Sequence, residues 1–593
     1  MRPETGLWGL LSRRVPALGA LRTYSWAQGR ADTLAGLTVA TVAVPQAMAY
    51  GIAAGVSAEH GLYTAIVMTA VGAVLDSSKQ LINGPTNVIS IAVLSALATF
   101  PADQKVQGAI TLALLIGAFQ TAITLLRLGD LTRYISHSVV VGFTAGASLL
   151  LVLDQMRNLF GWASKGDPHD HFLVRLWHTW SEGGAPHGAT IAIGLTTMVA
   201  IVALRWGKRR LGWVLFPELL LVVMAMTAIT GWLHLDESGV KVVGAIPAKL
   251  PSFAPPVLDL EQVRDLSGSA LAIATLGLLE ALAMAKNIAA VTGQKLDLNQ
   301  QCLSEGLANM TGSCFQCIPG SGSLTRSAIN QQAGAQTQWS GVISAAAVAL
   351  IMVVFAPYAA YVPRSALAGL LIVSAFGMID WRGLWFHLRA TPFDAVIVTL
   401  TGFAAVAISV EFCILIGVIF SFLLAVPRAG RMTMTEFVLD RDGVVRERER
   451  DEPCDERVLI FGLEGELFFG SVIAIDEHLD EIAHRARDVV VLRVKRIRNP
   501  DAVGLYELAQ FARKMHERGV RLLLAGARQD LLVGLRKTGL MDEIGEDQVF
   551  TERAMRGTSS VEAIRAAYAY LGRVDADTPA GATPAPAVRH VQD

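Results

Sequence analysis

The sequence predicts a polytopic α-helical membrane protein of fourteen apolar segments, arranged as two inverted sets of seven and followed by a small α/β domain. Three observations predict it. Of 593 residues, 52% are hydrophobic and 17% charged, and the mean hydropathy of +0.45 lies well above that of soluble chains. Apolar stretches recur up to Pro427 and then give way to alternating strand and helix patterns. Within the apolar region, Ile318 to Gln338 (IPGSGSLTRSAINQQAGAQTQ) is too polar and glycine-rich to span a bilayer, yet lies where hydrocarbon is expected.

Taken in order, residues 1–29 are basic, with Arg2, Arg13, Arg14 and Arg22, and are broken by Pro3 and Pro16, as suits a cytoplasmic lead-in without a cleavable signal peptide. The membrane region, 30–430, holds apolar segments at about 31–54, 61–76, 85–100, 107–127, 136–154, 188–206 and 213–233. A polar, proline-rich stretch, Leu235 to Leu266, follows. The second set lies at about 268–291, 299–317, 323–334, 339–361, 365–380, 393–410 and 411–427. With the N-terminus inside, Lys79, Arg127, Arg133, Arg205, Lys208, Arg209, Arg210, Lys286, Lys295, Arg382 and Arg389 all fall on the cytoplasmic side, so both termini are expected there.

The two sets share a feature. Gly84-Pro85 precedes the short run TNVISIAVL, and Pro319-Gly320 precedes SGSLTRSAI. Each break lies 53 residues into its set, counted from Ala31 and from Ser267. An odd number of segments per set makes the halves inverted, and short, interrupted segments at matching places in inverted halves point to a substrate site. Arg326, Thr325 and Ser327 accompany the second break, so a broken half-helix whose N-terminal amides and guanidinium hold an anion is expected there.

Beyond the membrane region, 431–455 reads as a charged linker, 456–572 as an α/β domain and 573–593 as a disordered tail rich in Ala, Pro, Thr and Asp. Within the domain RVLIFGLEGELFFGS suggests two short strands, followed by helix 472–486, strand DVVVLRVKRI, helix 503–517, strand VRLLLAGA and helix 530–538. A net charge of −1 offers no electrostatic case for nucleic acid. Five cysteines suggest no disulfide framework, and the Cys314/Cys317 pair cannot complete a zinc site. His169 and His171 read as solvated loop residues, Glu218 and Glu411 as boundary charges, and Lys286 as a residue that snorkels. No catalytic nucleophile, base or phosphate loop is visible in the α/β domain, and neither an enzyme nor a cofactor is expected.

Four blocks carry a family resemblance: DTLAGLTVATVAVPQAMAYGIAAG with HGLYTAI and DSSKQLINGP; SHSVVVGFTAGASLLLVLDQMRNLFG; LGLLEALAMAKNIAAVTGQKLDLNQQCLSEGLANMTGS; and PGSGSLTRSAINQQAGAQTQWSG. Residues 30–430 thereby resemble the SulP sulfate permease and anion transporter family, solute carrier family 26 in animals, and the α/β domain resembles its STAS domain. The resemblance implies a core domain (segments 1–4 and 8–11) moving as an elevator past a gate domain (5–7 and 12–14). It also implies an anion between half-helices 3 and 10, and a homodimer in the cell membrane. Carried over by motif, Gln46 and Tyr50 line the site from segment 1; Thr86, Asn87 and Val88 form one half-helix tip; Ser323, Leu324, Thr325 and Arg326 form the other. Ala502 stands where related bacterial STAS domains carry a phosphorylatable serine, and LRVKRIRNP is basic where the family tends to be apolar with acidic positions, so that it offers either a membrane contact or a solvated face.

Glu280, in ATLGLLEALAMAK, resembles a proton-coupling carboxylate of plant-type sulfate transporters; the alternative is a static pair with Arg326. The resulting expectation is sulfate transport with proton symport. Alternatives are sodium-coupled bicarbonate uptake, chloride/bicarbonate exchange, C4-dicarboxylate transport, and an anion channel or motor with a scaffolding STAS domain.

Overall fold

A computed structural model describes residues 15–21, 24–126, 136–167, 170–213, 216–439, 444–449, 452, 456–552, 558–576 and 590–591. Arg127, Arg133, His169, Cys454 and the side chains of Arg209 and Glu411 lie outside the described residues. The chain divides into two compact units, Met1–Ser421 and Phe422–Asp593.

The first unit is built of helices. A short α1 (Pro16–Leu21) precedes α2 (Trp26–Ala53), which starts before residue 31 because Ser25 and Gln28 form a capping box there. Then come α3 (Ala58–Leu75), strand β1 (Asn83–Gly84), α4 (Asn87–Ala96), α5 (Lys105–Leu125), α6 (His137–Phe160), α7 (Phe172–Glu182), α8 (Gly188–Leu211) and α9 (Glu218–Trp232). The second half runs α10 (Leu260–Thr292), α11 (Leu298–Ser313), β2 (Ser321–Gly322), α12 (Leu324–Gln332), α13 (Trp339–Ala359), α14 (Arg364–Met378), α15 (Trp381–Ala390), α16 (Pro392–Ala407) and α17 (Val410–Ala429). Among the described residues eight helices are long and apolar enough to cross a membrane, or nine if α14 and α15, bent by 42°, form one span. Two short helices, α4 and α12, each begin just after a glycine-containing β-strand.

Helices pack in two groups: α2, α3, α5, α10, α11 and α13 against one another, and α6, α8, α9, α14 and α16 likewise. Small residues let backbones approach. Gly117 on α5 faces the Gly306 carbonyl on α11, where a Cβ would lie 2.6 Å away, and Gly142 on α6 faces the Val398 carbonyl of α16, where a Cβ would lie 2.5 Å away. Any side chain at either place separates the helices. Away from the interfaces, large apolar side chains such as Val199, Leu350 and Phe403 are exposed, as a lipid-facing surface requires.

The second unit is a seven-stranded sheet in the order β8-β7-β6-β5-β3-β4-β9. Its strands are β3 (Thr433–Leu439), β4 (Val444–Glu447), β5 (Val458–Glu466), β6 (Val489–Arg498), β7 (Arg521–Ala527), β8 (Val549–Thr551) and β9 (His590–Val591). Strands β5 to β8 run parallel; β3 pairs antiparallel with β4 and β5. Alternation sorts β6 between two cores: Val490, Leu492 and Val494 pack on α18 (Val472–Arg485) and α19 (Ala502–Glu517), while Val489 and Val491 pack on α22 (Thr558–Ala576). Helices α20 (Gln529–Lys537) and α21 (Leu540–Ile544) complete the first face.

Three expectations change here. The stretch 431–455 is not a linker throughout, since it supplies β3 and β4. Its charges are compatible with a sheet because Glu436 lies 2.8 Å from Arg448 and 2.5 Å from Arg485. RVLIFGLEGELFFGS forms one strand and a 3-10 turn at Phe469–Ser471, not two strands. The expected disordered tail holds order at both ends, for α22 reaches Ala576 and β9 pairs with β4, while 577–589 lie outside the described residues. The basic run of β6 is partly engaged within the domain: Arg493 stacks 4.1 Å from the Phe437 ring and Arg496 pairs with Glu464 at 2.8 Å. Ala502 opens α19, capped by Asp501, which accepts from Gly504 N at 2.8 Å.

Candidate functional site

Two residues of each half make the key local structure. Asn83 pairs with Gly322 and Gly84 with Ser321, antiparallel. Each strand leads within two residues into a helix, so α4 and α12 leave the pairing in opposite directions with their N-termini side by side. Proline and glycine are needed because the chain must leave helical geometry at membrane depth and re-enter it. Gly84 has φ +146°, open to glycine alone, and a Cβ there would lie 2.8 Å from Nη1 of Arg326.

The caps decide which amides remain free. Thr86 caps α4 by accepting from Ile89 N at 3.4 Å, and its carbonyl accepts from Ser90 N at 3.0 Å. Ser323 caps α12 in the same way, accepting from Arg326 N at 3.4 Å while its carbonyl accepts from Ser327 N at 3.0 Å. Among the described residues, the amides of Asn87, Val88, Leu324 and Thr325 donate to no protein acceptor. Four N–H groups and two helix dipoles therefore converge.

The expected side chains take up distinct places around this point. Arg326 is fully buried, and its Nη2 donates to Pro85 O at 2.9 Å, so that the second half's guanidinium lies against the first half's break. Its Nε is buried without an acceptor. Glu280 accepts from Thr86 Oγ1 at 3.1 Å and lies within electrostatic range of Arg326, but no ion pair within 4.0 Å joins them among the described residues. Tyr50 is buried within electrostatic range of both. Gln46 follows Pro45 inside α2, and its buried amide has neither donor nor acceptor. Asn87 donates to Met378 Sδ at 3.2 Å, its Oδ1 unpartnered, and Val88 is buried. Ser90, one turn on, also carries a buried hydroxyl without a partner. Leu324 is 47% exposed, and Thr325 faces a cavity of about 430 Å³.

Several supporting residues escaped the sequence reading. Asp76 accepts from Gln301 Nε2 and Ser304 Oγ, each at 2.6 Å, and from Asn83 Nδ2 at 3.2 Å, fixing the register of β1 against α11. Asn309 accepts from Gly320 N and donates to Gly320 O, both at 3.1 Å, and so does the same for β2. Asp32 collects Gln336 N, Thr337 N and Thr337 Oγ1 at 2.7, 3.1 and 2.5 Å, tying α2 to the turn before α13. Their one available signal was a carboxylate or amide inside an apolar segment. Glu218 opens α9, at a segment end as expected, and is buried between Lys208 at 2.9 Å and Arg205 at 3.6 Å. His171 caps α7, accepting from Leu173 N at 3.2 Å. No group of three His, Cys, Asp or Glu converges as metal ligands among the described residues.

The family profile described as sulfate permease matches residues 30–401, and that of the STAS domain matches 450–554. Low affinity sulfate transporter 3 of Stylosanthes hamata is 27% identical over 588 residues, covering 93% of this chain and 90% of its own. The murine solute carrier 26 family member A9 anion transporter, in its inward-facing state, superposes with a TM-score of 0.82 at 21% identity, covering 95% of this chain and 96% of its own. The transmembrane domain of a cyanobacterial bicarbonate transporter, BicA, gives a TM-score of 0.57 at 25% identity, covering 67% of this chain and 98% of its own.

Proposed function

Since the chain belongs to the sulfate permease family, we propose that it is a secondary transporter that moves sulfate, or a closely similar small oxyanion, together with a proton. Family and fold make it a multi-pass membrane protein for small anions with a STAS domain, and not an enzyme. The observation that carries the finer reading is the meeting of four unpartnered amides and the buried Arg326 guanidinium at the junction of β1 and β2.

The chemistry follows from desolvation. An oxyanion leaving water needs donors on several oxygens, and paired helix N-termini supply them with a partial positive charge each. Arg326 adds a full charge, whose burial costs at least about 3 kcal/mol unless an anion compensates it. Tyr50, within electrostatic range of Arg326, adds a neutral donor, and the buried, unpartnered Gln46 amide and Ser90 hydroxyl are further candidates. An anion there lies beside Glu280, and two like charges share a site at lower cost when the carboxyl carries a proton. That coupling makes Glu280 the proton carrier in symport.

The antiparallel pairing of β1 and β2 supports an inverted seven-plus-seven repeat, and the two packing groups support a core moving past a gate in an elevator cycle. Cytoplasmic termini rest on the distribution of basic residues, and a homodimer on the family resemblance. A second reading, sodium-coupled bicarbonate uptake with Glu280 as a sodium ligand, is favoured by the 25% identity to the bicarbonate transporter's transmembrane domain.

Radiolabelled sulfate uptake into proteoliposomes, challenged with bicarbonate, chloride, selenate and fumarate at two pH values, tests the proposal. Accumulation driven by an inward proton gradient and competed by selenate is expected. Uptake that follows a sodium gradient and bicarbonate instead assigns the second reading, and unsaturable flux assigns a channel.

A further inference from the structure

Beside the paired N-termini lies the cavity of about 430 Å³. Thr325, Ile329 and Gln332 form one wall, spaced four and three residues apart and therefore on a single face of α12. Opposite them, Arg205 and Lys208 come from the end of α8 and Glu218 from the first turn of α9. Each oxygen of the Glu218 carboxylate faces one cation: Oε2 is 2.9 Å from Lys208 Nζ, and Oε1 is 3.6 Å from Arg205 Nε. Lys208 is further anchored by Phe216 O at 3.0 Å. Arg205 has the longer contact and lies within electrostatic range of Tyr50, which joins this cluster to the central site.

Two cations and one carboxylate leave the cavity with a net positive charge. A carboxylate and an oxyanion offer a guanidinium the same acceptor geometry. We propose that Arg205 and Lys208 form a second, vestibular site for the transported oxyanion, and that Glu218 is the internal counter-anion which gives up Arg205 to the incoming ion while keeping Lys208. The inference rests on the transport reading above. It explains a carboxylate in an anion path: without Glu218 the two cations would hold a divalent anion at the mouth and delay its passage to Arg326.

The test is sulfate uptake by the full chain in proteoliposomes, with KM and turnover measured separately. Glu218→Gln exposes both cations and is expected to lower the KM for sulfate by about threefold to tenfold, as one unit charge acting on a divalent ion in a wet cavity would. Turnover falls with it, and the effect on a monovalent substrate is smaller. Arg205→Gln is expected to raise the KM by a similar factor, and in the Glu218→Gln background to remove the gain. Should Glu218→Gln fail to fold, Arg205→Gln, which leaves Glu218 paired with Lys208, carries the test alone. A folded Arg205→Gln protein with unaltered KM and unaltered divalent-over-monovalent preference overturns the inference and leaves the triad a helix-to-helix clamp. Absence of saturable oxyanion uptake by the unaltered protein overturns the transport reading and this inference with it.

Discussion

Replacing Arg326 with alanine removes one of three sources of positive charge at the junction of β1 and β2. The helix termini of α4 and α12 contribute at most about half an elementary charge each, so the guanidinium supplies about half of the total. It also supplies the donors nearest the opposite half, with Nη2 2.9 Å from Pro85 O. A charge-assisted hydrogen bond is worth about 1.5–3 kcal/mol, and each 1.4 kcal/mol is tenfold in affinity. Arg326→Ala should therefore raise the KM for a divalent oxyanion by roughly 10- to 150-fold. The loss should be smaller for a monovalent anion, which feels half the Coulomb term. Arg326→Lys keeps the charge, lacks the planar fork, and should fall between. Initial rates of labelled sulfate uptake over a concentration series, with chloride as competitor, measure all three. An unaltered thermal transition shows that the fold survives. Normal KM and normal anion preference in Arg326→Ala would refute the reasoning, since the amides of Asn87, Val88, Leu324 and Thr325 would then hold the anion unaided.

Glu280→Gln should retain saturable uptake but lose its dependence on an imposed pH gradient; an unaltered gradient dependence assigns the proton elsewhere. Gly84→Ala brings a Cβ to 2.8 Å from Nη1 of Arg326 at φ +146° and should cost about 1–3 kcal/mol of backbone strain, read as a lower thermal midpoint together with weaker sulfate uptake. Asp76→Ala leaves Gln301, Ser304 and Asn83 as buried unpaired donors and should destabilise the membrane unit by about 3 kcal/mol or more, measured by thermal unfolding in detergent. In the C-terminal unit, partial burial acts to raise the Glu436 pKa, but hydrogen bonds and charge from Arg485 and Arg448 outweigh it and hold the value below its ordinary 4.5. A depressed carboxylate stabilises at neutral pH, and that stability is lost as pH falls past 4.5 and through the lower folded value. Glu436→Gln should accordingly flatten the acid limb of this unit's calorimetric transition below about pH 5 and leave the alkaline limb unchanged.

What could be read directly were features with a local cause. Gly84-Pro85 and Pro319-Gly320 break helices wherever they stand, and Thr86 and Ser323 are good N-cap residues wherever a helix follows them. Arg326 and Glu280 announced themselves because a charge in an apolar segment is expensive. The strands around β6 were legible through alternation, whereas β3 and β4 were hidden because Glu436, Arg446 and Arg448 resemble a solvated linker until Arg485, 37 residues beyond Arg448, is brought alongside.

The same contrast governs the whole chain. Composition, hydropathy and four long motifs determined the class of protein, the family and the helix breaks, because each depends on neighbours a few positions away. The tertiary structure alone decided that Asp76 holds β1 in register with α11, that Arg326 lies against Pro85, and that Glu218 stands between Arg205 and Lys208. The partners in the first two contacts are more than two hundred residues apart, and Glu218 meets Arg205 and Lys208 only where α8 and α9 pack together. A charge declares its cost in the sequence, but the donor or counter-ion that meets that cost is chosen by the fold.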